Sequence, residues 1–340
     1  MQKGEVAGSY RMLRPLGRGG EGSVWLAAHI RTKQLWAVKE IPRCDGEQEF
    51  HELRVMRRFR HAALPRMIDV LETESSVLLV MEYIRGISLE KWRQQKGHLT
   101  EEELMEAALC CAGALEYLHT RKPPVLHLDL KPANMIRTRE GRVVLVDFGS
   151  ARRGRKSPDA DGTSGERDRR GTIGFAAPEQ YTLDQPLTER TDVYGLGATM
   201  YYLISGIVYS PALKKGKVPG CTDALGNIIR KSLNENPEER YAGVRELEKA
   251  ILHLKHSREK RGRRKQAAAA AAVMLLVLLL AGTAVREQFG SMSKEDWNYE
   301  EILKEALYVP PSEAQELYKR ACFLEPDREE IGRASCRERV

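Results

Sequence analysis

The sequence predicts an α+β chain of two lobes, small and β-rich first, larger and helical second, followed by a single transmembrane helix. Three observations predict it. Short β-prone runs broken by glycines occupy residues 10 to about 83, helical patterns dominate from Ser88 onward, and Ala267–Val285 is nineteen residues without a charge. Strands gathered before helices, rather than alternating with them, give an α+β chain rather than a wound α/β sheet.

The elements follow in order. Arg11–Leu16, Ser23–His29 and Leu35–Ile41 read as strands, and Val77–Met81 is a continuous apolar strand. Glu47–Phe59 has helical spacing, with Phe50, Leu53, Met56 and Phe59 on one side. Glu101–His119 is a long amphipathic helix striped by Leu104, Ala108, Cys111 and Leu115. Val143–Val146 is a buried strand, and Asp192–Ile204 and Ala224–Leu233 are apolar helices. Ser150–Gly171, polar and glycine-containing, reads as a long mobile loop.

Composition excludes several classes. With 42% hydrophobic and 30% charged residues over 340 positions, the chain can bury a core and is not disordered throughout. Its six cysteines show no CxxC pairing, which argues against a disulfide scaffold or a zinc ribbon. The net charge is +7, but seven Lys/Arg and one Glu between Lys255 and Lys265 account for +6 of it. Nucleic-acid binders spread basic residues over a folded face, so no nucleic-acid partner is expected. At about 1.5 Å per residue the apolar run spans roughly the 30 Å of a bilayer core. Arg286–Glu330 carries six Lys/Arg against twelve Asp/Glu. Positive residues stay inside, so residues 1–266 are expected in the cytoplasm and the C-terminal segment outside the cell membrane.

Five motifs carry chemistry. Gly17-Arg18-Gly19-Gly20-Glu21-Gly22-Ser23-Val24 is a glycine-rich turn whose backbone N–H groups can approach phosphates. Trp36-Ala37-Val38-Lys39 ends an apolar strand on a lysine, and Glu52 on the following helix offers it a carboxylate. His127-Leu128-Asp129-Leu130-Lys131-Pro132-Ala133-Asn134 puts a carboxylate, an ammonium and an amide on one short loop. Phosphoryl transfer to a hydroxyl needs such a set: a proton acceptor, a charge neutraliser and a metal ligand. Asp147-Phe148-Gly149 follows a strand and supplies a second metal-binding carboxylate. For the glutamate of Ala177-Pro178-Glu179, Arg240 in Asn236-Pro237-Glu238-Glu239-Arg240 is the expected buried partner. Each motif alone has a bland reading, as a hairpin, a solvated lysine, a cap or a turn. Their conjunction in one order does not.

Residues 10–254 resemble the eukaryotic-like serine/threonine protein kinases, bacterial membrane-bound members included. The resemblance implies the bilobal protein-kinase fold, with an N-lobe of about 10–83 and a C-lobe of about 84–254. It implies ATP as substrate, Mg²⁺ or Mn²⁺ as cofactor, and Ser/Thr-bearing proteins as partners. Gly17, Gly19 and Gly22 would cover the phosphates, Val24 and Ala37 would face the adenine, and Lys39 would pair Glu52 and the α/β-phosphates. Met81 would stand at the gatekeeper position and Glu82–Ile84 at the hinge, with Glu82 and Ile84 reading the adenine edge. Asp129 would accept the hydroxyl proton, Lys131 contact the γ-phosphate, and Asn134 and Asp147 hold the metal. Asp192, opening its helix, would anchor the catalytic loop, and Thr172 would bridge Asp129 and Lys131. A non-catalytic kinase-like receptor is the alternative, disfavoured because the catalytic set is complete.

Leu128 departs from the family, standing where an arginine usually grips an activation-loop phosphate. Ser157, Thr163, Ser164 and Thr172 remain candidate activation-loop phosphosites, and autophosphorylation within a homodimer is expected. Residues 255–266 form a basic juxtamembrane segment, 267–285 the transmembrane helix and 286–330 an outer segment. In that segment Ala314, Tyr318, Ala321 and Pro326 resemble part of a tetratricopeptide repeat. Residues 331–340 resemble one reading frame of a sequencing adapter and are expected to be absent from the natural protein, which would continue past Glu330.

Overall fold

A computed structural model describes residues 1–19, 22–43, 56–57, 59–153, 171–182, 185–213, 216–290 and 299–324. The chain divides into two units, Met1–Glu259 and Lys260–Val340.

The first unit opens with strands β1 (Val6–Ala7), β2 (Tyr10–Gly19), β3 (Gly22–His29), β4 (Leu35–Pro42), β5 (Met67–Glu72) and β6 (Ser76–Glu82). They form one antiparallel sheet in the order β1-β2-β3-β4-β6-β5. Alternation along each strand sends side chains to opposite faces. Met12, Ala27, Val38, Leu78 and Val80 pack together on one side, while Ala37, Val77, Leu79 and Met81 join the main core. In this register Lys39 lies opposite Val24 on β3 and Leu79 on β6, so the sheet itself aims the lysine at the core side.

A small sheet of β7 (Gly86–Ser88), β9 (Met135–Thr138) and β10 (Val143–Leu145) and a pair of β8 (Val125–Leu126) with β11 (Arg152–Arg153) flank the catalytic segment. Helices α1 (Leu89–Lys96), α2 (Glu101–His119), α3 (Glu189–Ser205), α4 (Asp223–Ser232) and the first part of α5 (Val244–Gly290), as far as Glu259, make the second lobe. Three of these starts are specified by side-chain caps. Ser88 caps α1, Thr100 and Glu103 form a reciprocal box at α2, and Thr188 caps α3. The α2 stripe of Leu104, Ala108, Cys111 and Leu115 is fully buried.

Of three sequence expectations, two change. The Glu47–Phe59 helix lies almost wholly outside the described residues. Asp192 does not open α3: Thr188 supplies the cap, so the helix starts at Glu189 and Asp192 sits within it. Ser150–Gly171 is not a loop throughout, because Arg152 and Arg153 pair with Leu126 and Val125. β5 and α1 were not foreseen; both are short and weakly patterned.

The start of α5 is tied to the first unit by charge. Lys255 Nζ lies 3.2 Å from Glu106, and Arg258 bonds Glu101 and Thr222. Further along, Val273–Leu280 is exposed on every side, and among the described residues this is the one helix long and apolar enough to cross a membrane. In the second unit, α6 (Tyr299–Ala306) and α7 (Pro311–Leu324) bury Ile302 against Ala321, with Leu303 and Leu317 beside them.

Candidate active site

The catalytic loop leaves β8 at Leu126 and ends in a single helical turn, Pro132–Asn134. Leu128 takes a left-handed backbone, φ 64°, which is costly for a branched side chain. Buried Asp192 holds it there. Its carboxylate accepts the backbone N–H groups of His127 (2.9 Å) and Leu128 (2.8 Å) and faces His119 Nε2 at 2.8 Å. Burial raises the Asp192 pKa, but the bonds to His119 and His127 outweigh it and hold the carboxyl below its ordinary value.

Around Asp129 the polar groups close a ring. Thr172 Oγ donates to Asp129 Oδ1 at 2.6 Å, and Lys131 Nζ lies 2.7 Å from Oδ2. Lys131 also donates to Thr172 Oγ at 2.8 Å. Asn134 Nδ2 donates to the Asp129 carbonyl (2.9 Å) and to Oδ2 (3.0 Å). The Asp129 side chain retains 13% exposure, so the carboxylate is fixed yet reachable from solvent.

Asp147, also left-handed at φ 66°, pairs with Lys39 Nζ at 2.8 Å. Burial pushes its pKa up, but the charge and hydrogen bond of Lys39, with help from His127, keep it below the usual carboxylate range. Phe148 is fully buried between Phe59 and His127, with ring centroids 5.1 and 5.0 Å away. The expected partner Glu52 lies outside the described residues. The donor set suits a divalent cation. Asn134 turns its amide nitrogen to Asp129, leaving its oxygen, and Val146 N–H donates to the Asn134 carbonyl at 2.9 Å. That bond ties Asn134 to the residue before Asp147, and an amide oxygen and a carboxylate are the hard donors that Mg²⁺ takes.

Ala37 stands opposite Met81, and Val24 packs against the same core. Gly19 and Gly22 face each other where β2 meets β3. Gly22 must be glycine: its φ is 134°, and a Cβ there would stand 2.0 Å from the Glu40 carbonyl. Nothing crowds a Cβ at Gly17. At the hinge, Glu82 N–H donates to the Arg66 carbonyl at 2.8 Å, and Ile84 is half-buried. Of the phosphosite candidates, Thr172 joins the ring, and Ser157, Thr163 and Ser164 lie outside the described residues.

The protein kinase domain profile matches residues 10–269. The chain belongs to the eukaryotic-like serine/threonine protein kinase family. It is 29% identical over 276 residues to serine/threonine-protein kinase B of Synechocystis sp., covering 72% of this chain and 46% of that protein. It is 30% identical over 272 residues to serine/threonine-protein kinase PknD of Mycobacterium tuberculosis, covering 72% and 40%. Sperm motility kinase 1 of Mus musculus is 30% identical over 246 residues, 68% of this chain and 49% of that protein. The chain spans less than half the length of these relatives.

In this kinase Glu179 and Arg240 form a sealed pair at 2.7 and 2.8 Å, with side-chain exposures of 1% and 0%. Arg240 also donates to the carbonyls of Arg190, Asn234 and Glu235 and lies over the Tyr194 ring. Two residues of the kinase site had no legible signal. His119 ends an amphipathic helix and meets Asp192, 73 positions away. Gln180 follows Glu179 and donates to the Leu128 carbonyl at 2.9 Å.

Proposed function

We propose that this kinase transfers the γ-phosphate of ATP to Ser/Thr hydroxyls of proteins, itself included, from the cytoplasmic face of a cell membrane that it crosses once. The closed ring around Asp129 carries the reading. A weak carboxylate base gains from fixed geometry, and general-base catalysis contributes about 10²–10⁴-fold. Here Thr172, Lys131 and Asn134 fix both oxygens, so the carboxylate is oriented before a substrate hydroxyl arrives. Asp129 accepts the proton of that hydroxyl. Lys131, on the same carboxylate, brings positive charge to the phosphoryl group in transfer. Lys39 emerges from β4 beside the glycine-rich turn, where its ammonium meets the α/β-phosphates while steadying Asp147. Asn134 and Asp147 would hold the divalent cation, which when bound would neutralise phosphate charge. Val24, Ala37 and Met81 enclose the adenine, with Glu82 and Ile84 along its edge.

Ala267–Val285 is read as the membrane span, with the basic segment inside and the acidic 286–330 outside. The kinase domain is read as 10–254, and α6 with α7 as a partial tetratricopeptide-like repeat. Autophosphorylation is read as occurring between two copies, so its rate should rise with protein concentration.

The test is incubation of the full chain in detergent with ATP, Mg²⁺ and a basic protein, followed by phosphosite mapping. Phosphoserine and phosphothreonine are expected. Phosphotyrosine as the main product, or no transfer at all, overturns the reading. A reporter fused after Glu330 should register the outside; cytoplasmic reporter activity, or full-length chain soluble without detergent, overturns the topology.

A further inference from the structure

The left-handed Leu128 is clamped on both of its peptide groups. Asp192 takes its N–H from α3, and Gln180 Nε2 donates to its carbonyl at 2.9 Å from the segment that carries Thr172. Gln180 is 4% exposed, and its other end is also used, since Oε1 accepts the Ala177 N–H at 2.9 Å. The chain above it is seated tightly. A Cβ on Gly171 would stand 2.9 Å from Gln180 Nε2 and 2.4 Å from the Ala176 Cβ, so Gly171 lets the step to Thr172 lie close to the glutamine. Thus one short segment, residues 171–180, reaches the catalytic loop twice: Thr172 grips the Asp129 carboxylate, and Gln180 grips the peptide group just before it.

We propose that Gln180 is a positioning residue for Asp129, coupling the seating of residues 171–180 to the aim of the catalytic carboxylate. The inference rests on the kinase reading above. Its physical basis is local. The Leu128 carbonyl is the acceptor of the peptide whose N–H belongs to Asp129, and a peptide is planar. Turning that plane swings the Asp129 Cα–Cβ bond. Asp192 fixes the preceding peptide; on this one His127 Nδ1 accepts the Asp129 N–H at a long 3.4 Å, and the carbonyl end is held by Gln180.

The test uses two substitutions of similar size in the full chain. Gln180→Met removes both bonds. Gln180→Glu keeps an oxygen for the Ala177 N–H and the side-chain shape, but presents no ionised-state donor to the Leu128 carbonyl. Both are expected to lower kcat about 10- to 100-fold, the range in which misplaced catalytic groups fall. KM for ATP should stay within about twofold, because nothing Gln180 touches faces the nucleotide. If Gln180→Glu keeps wild-type kcat, the amide serves only to cap Ala177 and the proposal fails. A rise in KM for ATP with kcat unchanged also defeats it. Wild-type chain that transfers no phosphate defeats instead the kinase reading, and the inference with it. Should Gln180→Met fail to fold, Gln180→Glu carries the decision alone.

Discussion

Two ionic constellations draw on residues 171–181, one through Thr172 and one through Glu179, built from similar groups and put to different ends. Glu179 and Arg240 are sealed, at 1% and 0% side-chain exposure, and every remaining donor of the guanidinium is occupied. Asp129 and Lys131 keep 13% and 24%. A fully desolvated pair has no room for a substrate and serves only while both members are present. A half-open pair retains access to solvent and to a reactant. The difference teaches that burial, more than residue type, separates the structural carboxylate from the chemical one.

Ranked by expected effect, four experiments break or sharpen that contrast. Asp129→Asn should cost about 10³- to 10⁴-fold in kcat, about 4–5.5 kcal/mol of barrier. ATP binding and the thermal midpoint should stay near wild type. A variant that keeps most of its turnover would move the base elsewhere. Glu179→Ala should do the opposite, losing about 3–5 kcal/mol of folding stability because Arg240 is left buried and unpaired. Urea unfolding measures it, and a loss below about 1 kcal/mol would show that the pair relaxes to water.

The third concerns acid. Burial lowers the pKa of His127 against the pull of Asp192, Asp129 and Asp147, so the folded ring stays neutral below its ordinary 6.5. The unfolded chain then binds a proton that the folded one refuses, and stability falls as pH drops below 6.5. The slope is at most about 1.4 kcal/mol per pH unit for one group. Asp192 and Asp147 add the same sign only below their ordinary 3.8. Unfolding midpoints at neutral and mildly acid pH should therefore differ less in His127→Phe than in wild type; an unchanged difference assigns the effect to other groups, such as His61, also lowered by burial.

The smallest effect is expected in the activation segment. With Leu128 in place of a cation, replacing Ser157, Thr163 and Ser164 together with Ala should change kcat by less than about tenfold, or 1.4 kcal/mol. A loss of 100-fold or more would mean that some other cation grips a phosphate there.

Much of this site was legible before folding because its chemistry is local. Asp129, Lys131 and Asn134 share one loop, and Asp147 follows its strand directly, so the order of the motifs, read through the family resemblance, pointed to the set. Glycine at 22 and the caps at Thr100 and Thr188 are also local choices, fixed by backbone conformation. The Arg240 partner of Glu179 was legible for a different reason, since a family motif supplied it. Tertiary structure decided the rest. No periodicity predicts that His119 meets Asp192, that Leu128 is held left-handed, or that Gln180 reaches back 52 positions to its carbonyl. Such contacts belong to surfaces that exist only once the helices pack, and a polar side chain in sequence carries no mark of which buried acceptor will need it. The exposed run Val273–Leu280 is the converse case. Among the described residues it is exposed along its length, and composition alone marks it as long and apolar enough to cross a membrane.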